Sequence, residues 1–105
     1  VLDRAKLSPD SIDEIIMGNV LSAGQGQAPA RQAALGGGVP DSVGCTTINK
    51  MCGSGLKAVM LAHDLITAGT SHVMIAGGME SMTNAPHLLP RLRPGIRMGP
   101  AAVQD

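Results

Sequence analysis

Asn49-Lys50-Met51-Cys52-Gly53-Ser54-Gly55-Leu56-Lys57-Ala58 joins two stretches of different character. Before it, Val43, Thr46, Thr47 and Ile48 are β-branched and favour a strand. After it, Leu56 to Ala68 holds no Pro, no internal Gly and few polar residues, which favours a helix. The stretch therefore reads as a strand-to-helix turn with Cys52 at its apex. A cysteine there meets unpaired N–H groups and the positive end of the helix dipole, which favour an anion and hence the thiolate, the reactive form. Gly53 and Gly55 leave backbone without side chains beside the sulfur, so that an acyl group or a slender cofactor arm can approach. The Cys52 N–H is itself a candidate donor to an oxyanion formed on an attacked carbonyl. The plain alternative is a small buried cysteine capping a tight turn.

Strand and helix alternate on either side of this turn. Upstream, Val1 to Lys6 reads as the tail of a helix and Leu7 to Asp13 as a turn cluster. Ile15 to Val20 is a short buried strand ending at Gly18 or Asn19. Ser22 to Pro29 is a loop, and Pro29 pre-sets the first turn of a helix that runs through Leu35 and stops at Gly36-Gly37-Gly38-Val39-Pro40. Gly24 and Gly26 open a G-x-G, but Pro29 stands where a dinucleotide fingerprint needs its third glycine. Arg31 reads as a helix-surface charge or structural ion pair. Downstream, the helix from Gly53 to Ala68 is closed by Gly69, and Val73 to Ala76 makes a third strand.

Strand-helix-strand-helix-strand order implies an α/β fold with a mostly parallel sheet and right-handed crossovers. Parallel pairing puts the ends of the second and third strands on one sheet edge, the edge where such folds bind ligands. Cys52 and the Gly77-Gly78-Met79-Glu80 turn are thus expected close together. Glu80 could orient the turn around Cys52 or act on it electrostatically. The commoner role is a structural carboxylate accepting backbone N–H bonds. Leu56, Val59, Met60, Leu61, Leu65 and Ile66 spread round most of their helix, which calls for burial on more than one side.

At 105 residues the chain is at most one domain. Eight basic and eight acidic residues cancel, so the charge balance points neither to nucleic acid nor to an anionic membrane. Arg91 to Arg97 is locally basic but has no aromatic side chains with which to stack on bases, because the chain has no Phe, Tyr or Trp. No run approaches a bilayer span of roughly 20 apolar residues, and no secretory signal is evident. A soluble, reducing compartment is the default, the cytoplasm first, with mitochondrion and peroxisome as alternatives. Cys45 and Cys52 lie along one strand and its end, roughly 20 Å apart if extended, so a disulfide is not expected. No metal site is read from the sequence.

The histidines are tested by reach. His63 lies about 16 Å along the helix from Cys52 at 1.5 Å per residue. His72 precedes the third strand and falls at the opposite sheet edge, as a surface or capping residue. His87 follows that strand and is the only local candidate for a base. Lys50 and Lys57 read as structural or surface charges.

Asn49 to Ala58 resembles the active-site segment of the thiolases. Ile12 to Val20, Pro29 to Leu35 and Ala76 to His87 resemble further thiolase segments, in the family's order and spacing. Gly77 to Pro86 followed by Gly95 to Gly99 is most similar to the acetyl-CoA acetyltransferase branch. The resemblance implies part of the N-terminal half of a layered αβαβα fold. Residues 1–85 would form a partial N-terminal domain lacking its first strand, and residues 86–105 the start of an inserted loop region. It implies that Cys52 becomes acylated, that coenzyme A is part of the substrate rather than a resident cofactor, and that the intact enzyme is a homodimer or tetramer. It also implies that the activating histidine and a second cysteine come from C-terminal motifs absent here, so that the 105 residues alone are inactive. The expected reaction of the intact enzyme is condensation of two acetyl-CoA to acetoacetyl-CoA, or thiolysis in reverse. Alternatives are a degradative 3-ketoacyl-CoA thiolase of broader chain length, a non-catalytic association module, and a redox-sensing thiol.

Overall fold

Ile15 and Ile16 are neighbours in sequence, yet each is only 3 % exposed. Successive strand residues point to opposite faces, so this strand is covered on both sides. In the computed structural model, which describes residues 1–105, it is β1 (Glu14–Gly18), the centre of a three-stranded parallel sheet. β2 (Gly44–Ile48) pairs along one side of it, with Ile16 opposite Thr46. β3 (Met74–Gly78) pairs along the other, with Ile16 opposite Ala76. The α/β class and parallel pairing are as expected, and the order is β2-β1-β3. The Val43 and Val73 segments therefore flank β1 and do not adjoin each other. β3 also runs further than the apolar run suggests: Gly77 and Gly78 belong to the strand and not to the turn after it.

Three helices accompany the sheet: α1 (Leu2–Ala5), α2 (Pro29–Gly36) and α3 (Ser54–Thr67). α2 covers the face where Ile12, Ile15, Ala34, Val39 and Val43 form the buried cluster, with Cys45, Met17 and Ile75 packed around it. Arg31 on α2 donates to the carbonyls of Val43 and Asp41 at 2.8 and 2.6 Å, so its charge is spent on tying α2 to the start of β2. α3 covers the other face, against β1 and β3. Its contact side is made of small residues, Ser54, Ala58 and Ala62, which let the helix sit close to the sheet. Leu56, Val59, Met60 and Ile66 are 45–69 % exposed on the outer side. The apolar surface that called for burial on more than one side is covered here on one only.

Beyond β3, residues Met82–Asn84 form a short 3-10 turn. Leu88 and Gln104 then exchange two backbone hydrogen bonds of 2.7 and 2.8 Å, closing the segment between them into a loop. A single antiparallel rung leaves no periodic pattern, and none is visible in the sequence.

Candidate active site

The turn between β2 and α3 is held by its own polar groups. Asn49 Oδ1 accepts the Met51 N–H at 3.0 Å, and Ser54 Oγ accepts the Lys50 N–H at 2.9 Å. The Gly53 N–H bonds to the Lys50 carbonyl and the Ser54 N–H to the Met51 carbonyl, at 3.1 and 3.2 Å. Met51 takes a left-handed backbone, φ 45°, a conformation that costs a non-glycine residue about 1 kcal/mol or more. Of the five amides from Lys50 to Ser54, only that of Cys52 meets no acceptor in the chain.

Cys52 itself is exposed and its thiol is free. It stands one residue before Gly53, the cap of α3, so it lies at the helix N-terminus as expected and is not a buried turn residue. Cys45 is free and half-buried within β2, with its Sγ 3.5 Å from the Val43 carbonyl. The two glycines of the turn differ. A β-carbon on Gly53 would meet only the Lys50 carbonyl oxygen and side chain, at 3.6 and 4.0 Å, which is open packing. One on Gly55 would lie 3.3 Å from Gly78 Cα, so the room left at Gly55 is filled by β3. Gly55 thus serves the seating of α3 on the sheet.

Glu80 lies on the expected edge but faces β1. Its carboxylate accepts the N–H groups of Val20 and Leu21 at 2.9 and 2.8 Å and the Asn19 Nδ2 at 3.3 Å. This is the structural carboxylate of the two readings, and the β2-β1-β3 order explains it: the end of β1 stands between Glu80 and the Cys52 turn. Asn19, 3 % exposed, also donates to the Met79 carbonyl, while its Oδ1 meets no partner.

No histidine bonds to Cys52. His63 is exposed on α3 beside Asp64, at 3.3 Å. The His72 amide donates to Asp13 at the far edge of the sheet. His87 is exposed beyond the 3-10 turn. Sequence reading missed two anchors, Ser54 and Asn19. Ser54 had a signal, a hydroxyl at the first helical position. Asn19 had only its place after a buried strand.

The profile described as thiolase, N-terminal domain matches residues 1–105. The chain belongs to the thiolase family. Among curated relatives this thiolase chain is 56 % identical over 104 residues to an acetyl-CoA acetyltransferase of Cupriavidus necator, covering 99 % of the chain and 26 % of that protein. It is 55 % identical over 104 residues to acetyl-CoA acetyltransferase 2 of Arabidopsis thaliana, with the same coverage of 99 % and 26 %. In fold it is similar to the Acat5 thiolase from Ascaris suum in complex with coenzyme A, with a TM-score of 0.92 and 41 % identity. That match covers 99 % of this chain and 27 % of the other. The thiolase chain thus spans about a quarter of the length of the relatives it matches.

Proposed function

We propose that the protein carrying this chain is an acetyl-CoA C-acetyltransferase and that Cys52 is its acylated nucleophile. The observation that carries the reading is an exposed thiol at the start of α3 whose own amide has no partner. Nucleophile and oxyanion donor are then the same residue. In the first half-reaction the Cys52 thiolate attacks the acetyl carbonyl carbon of acetyl-CoA, and the oxygen gains negative charge against the Cys52 N–H. The bond from carbon to the coenzyme A sulfur breaks, leaving S-acetyl-Cys52 and a coenzyme A thiolate that takes up a proton. In the second, another acetyl-CoA loses a proton from its methyl carbon. That carbanion attacks the S-acetyl carbon, a carbon–carbon bond forms, and the Cys52 sulfur departs as thiolate, giving acetoacetyl-CoA. The groups that carry these protons are assigned to the enzyme outside these 105 residues, since none of the three histidines bonds to Cys52.

Coenzyme A enters as part of the substrate, in keeping with its presence in the Ascaris suum structure named above. Gly53 is the better of the two glycines for close approach of the acyl group, because Gly55 is occupied by Gly78. Residues 1–85 form the partial N-terminal domain and residues 86–105 begin the loop region over the cofactor mouth. The intact enzyme is a homodimer or tetramer in a reducing compartment, the cytoplasm first. No helix here is long and apolar enough to cross a membrane.

Thiolysis rates of the full-length enzyme on 3-ketoacyl-CoA of increasing length test the substrate. Acetoacetyl-CoA is expected to react fastest. A higher kcat/KM on longer chains would replace this reading with the degradative one.

A further inference from the structure

Ser54 is 5 % exposed at the first position of α3, and it does not cap the helix. Its hydroxyl reaches backward. Oγ accepts the Lys50 N–H at 2.9 Å and donates to the Met51 carbonyl at 2.6 Å. A serine hydroxyl has one proton to give and lone pairs to receive. Ser54 spends one of each on the two residues that precede Cys52.

The second bond matters most. The Met51 carbonyl and the Cys52 N–H belong to one planar trans peptide unit, so they point in opposite directions. The Ser54 hydroxyl and the Ser54 N–H both hold the Met51 oxygen, at 2.6 and 3.2 Å, which turns that oxygen toward the helix. The Cys52 N–H is thereby aimed away from the helix, where it meets no acceptor. Met51 in the same turn takes a left-handed backbone, φ 45°, which is unfavourable for a non-glycine residue. Two side-chain contacts offset that cost: Ser54 on one flank, and Asn49 Oδ1 to the Met51 N–H on the other.

We propose that Ser54 is a positioning residue for the reaction at Cys52: its hydroxyl fixes the peptide between Met51 and Cys52 so that the Cys52 amide faces the oxygen of the attacked thioester. The proposal rests on Cys52 being the acylated nucleophile. It predicts a separation between two reactions of one sulfur. Acetyl transfer passes through an oxyanion and needs the aimed amide. Alkylation by iodoacetamide displaces iodide at a saturated carbon, forms no oxyanion, and needs only an accessible thiolate.

The experiment compares the full-length wild-type enzyme with its Ser54→Ala, Ser54→Thr and Cys52→Ser variants, following acetylation by acetyl-CoA through intact mass and alkylation by iodoacetamide in parallel. A single oxyanion donor contributes on the order of 100-fold, so Ser54→Ala is expected to slow acetylation by about tenfold or more. Its alkylation should change less than about threefold, and Ser54→Thr, which keeps the hydroxyl, should recover acetylation. Equal slowing of both reactions, or acetylation of Ser54→Ala at the wild-type rate, overturns the proposal and leaves the nucleophile standing. A wild-type Cys52 that alkylates but never acetylates overturns the nucleophile, and this proposal with it. Should Ser54→Ala not fold, hydrogen exchange on the wild-type protein decides. The Lys50 amide should be protected about tenfold or more over an unstructured peptide, and an unprotected amide overturns the clamp.

Discussion

Gly18 at the end of β1 and Ser54 at the start of α3 meet backbone to backbone: a β-carbon built on Gly18 lies 2.6 Å from both Ser54 Cβ and Gly55 N. No flexible side-chain end is available to give way. The first turn of α3, and with it the Cys52 turn, is therefore seated directly on the central strand. Replacing Gly18 by Ala is expected to cost about 1–3 kcal/mol, the usual range for an overpacked interior, and to shift the denaturant midpoint without changing the slope. An unchanged midpoint would mean that α3 is free to lift off the sheet.

Gly53 and Gly55 separate two uses of a missing side chain. Gly55→Ala places its methyl 3.3 Å from Gly78 Cα, tight enough to push helix and strand apart by a few tenths of an ångström. Gly53→Ala has 3.6 Å to its nearest neighbour and a negative φ of −101°. Thermal unfolding should show Gly55→Ala destabilised and Gly53→Ala within about 0.5 kcal/mol of wild type. The reverse order would contradict the packing described.

Asp13 ties the start of β1 to that of β3. The amides of Val73 and His72 donate to its Oδ2 at 2.9 and 2.6 Å, and these bonds, Val73 first, hold its carboxyl below the usual carboxylate range. Because the folded value is the lower one, this contribution to stability is present in full above the ordinary value of 3.8 and is lost as pH falls through the folded value. Unfolding followed from pH 6 to pH 2 should show a loss of stability in that acid window that is smaller in Asp13→Asn. Identical acid profiles for the two proteins would exclude this role.

Glu80 is expected to act on stability and not on the sulfur. Glu80→Ala leaves the backbone amides of Val20 and Leu21 without their acceptor and takes one of two acceptors from Asn19 Nδ2, which keeps the Met79 carbonyl, a loss of about 1–2 kcal/mol for partly exposed charge-assisted bonds. The iodoacetamide rate at Cys52 should stay within about twofold of wild type. A larger drop in that rate than in stability would return Glu80 to the neighbourhood of Cys52.

The elements were legible where the chain is locally consistent. The β-branched run before Asn49, the Pro29 start and the Gly69 stop mark β2, α2 and α3 to within a residue or two. Sheet order was not legible, because strand-helix-strand order gives parallel pairing without saying which side of β1 each later strand takes. That unknown left two roles open for Glu80, and the sheet order decides for the commoner one: its carboxylate reaches the expected edge and accepts the Val20 and Leu21 N–H groups. Gly77 and Gly78 look like a turn because glycine is rare in strands, yet Gly78 is what lets Gly55 approach. The prominence of Cys52 was legible from one motif. The clamp around it was not, since Ser54 acts through tertiary placement on Gly18 and through a left-handed Met51 that no propensity favours.

The most direct measurement is intact mass after incubation of the full-length enzyme that carries this chain with acetyl-CoA, beside a Cys52→Ser control. An added acetyl group on the wild type, absent from Cys52→Ser and mapped by peptide mass to residues 50–57, is expected. A protein that gains no acetyl group while Cys52 still reacts with iodoacetamide, or one that is acetylated equally in Cys52→Ser, would contradict Cys52 as the nucleophile.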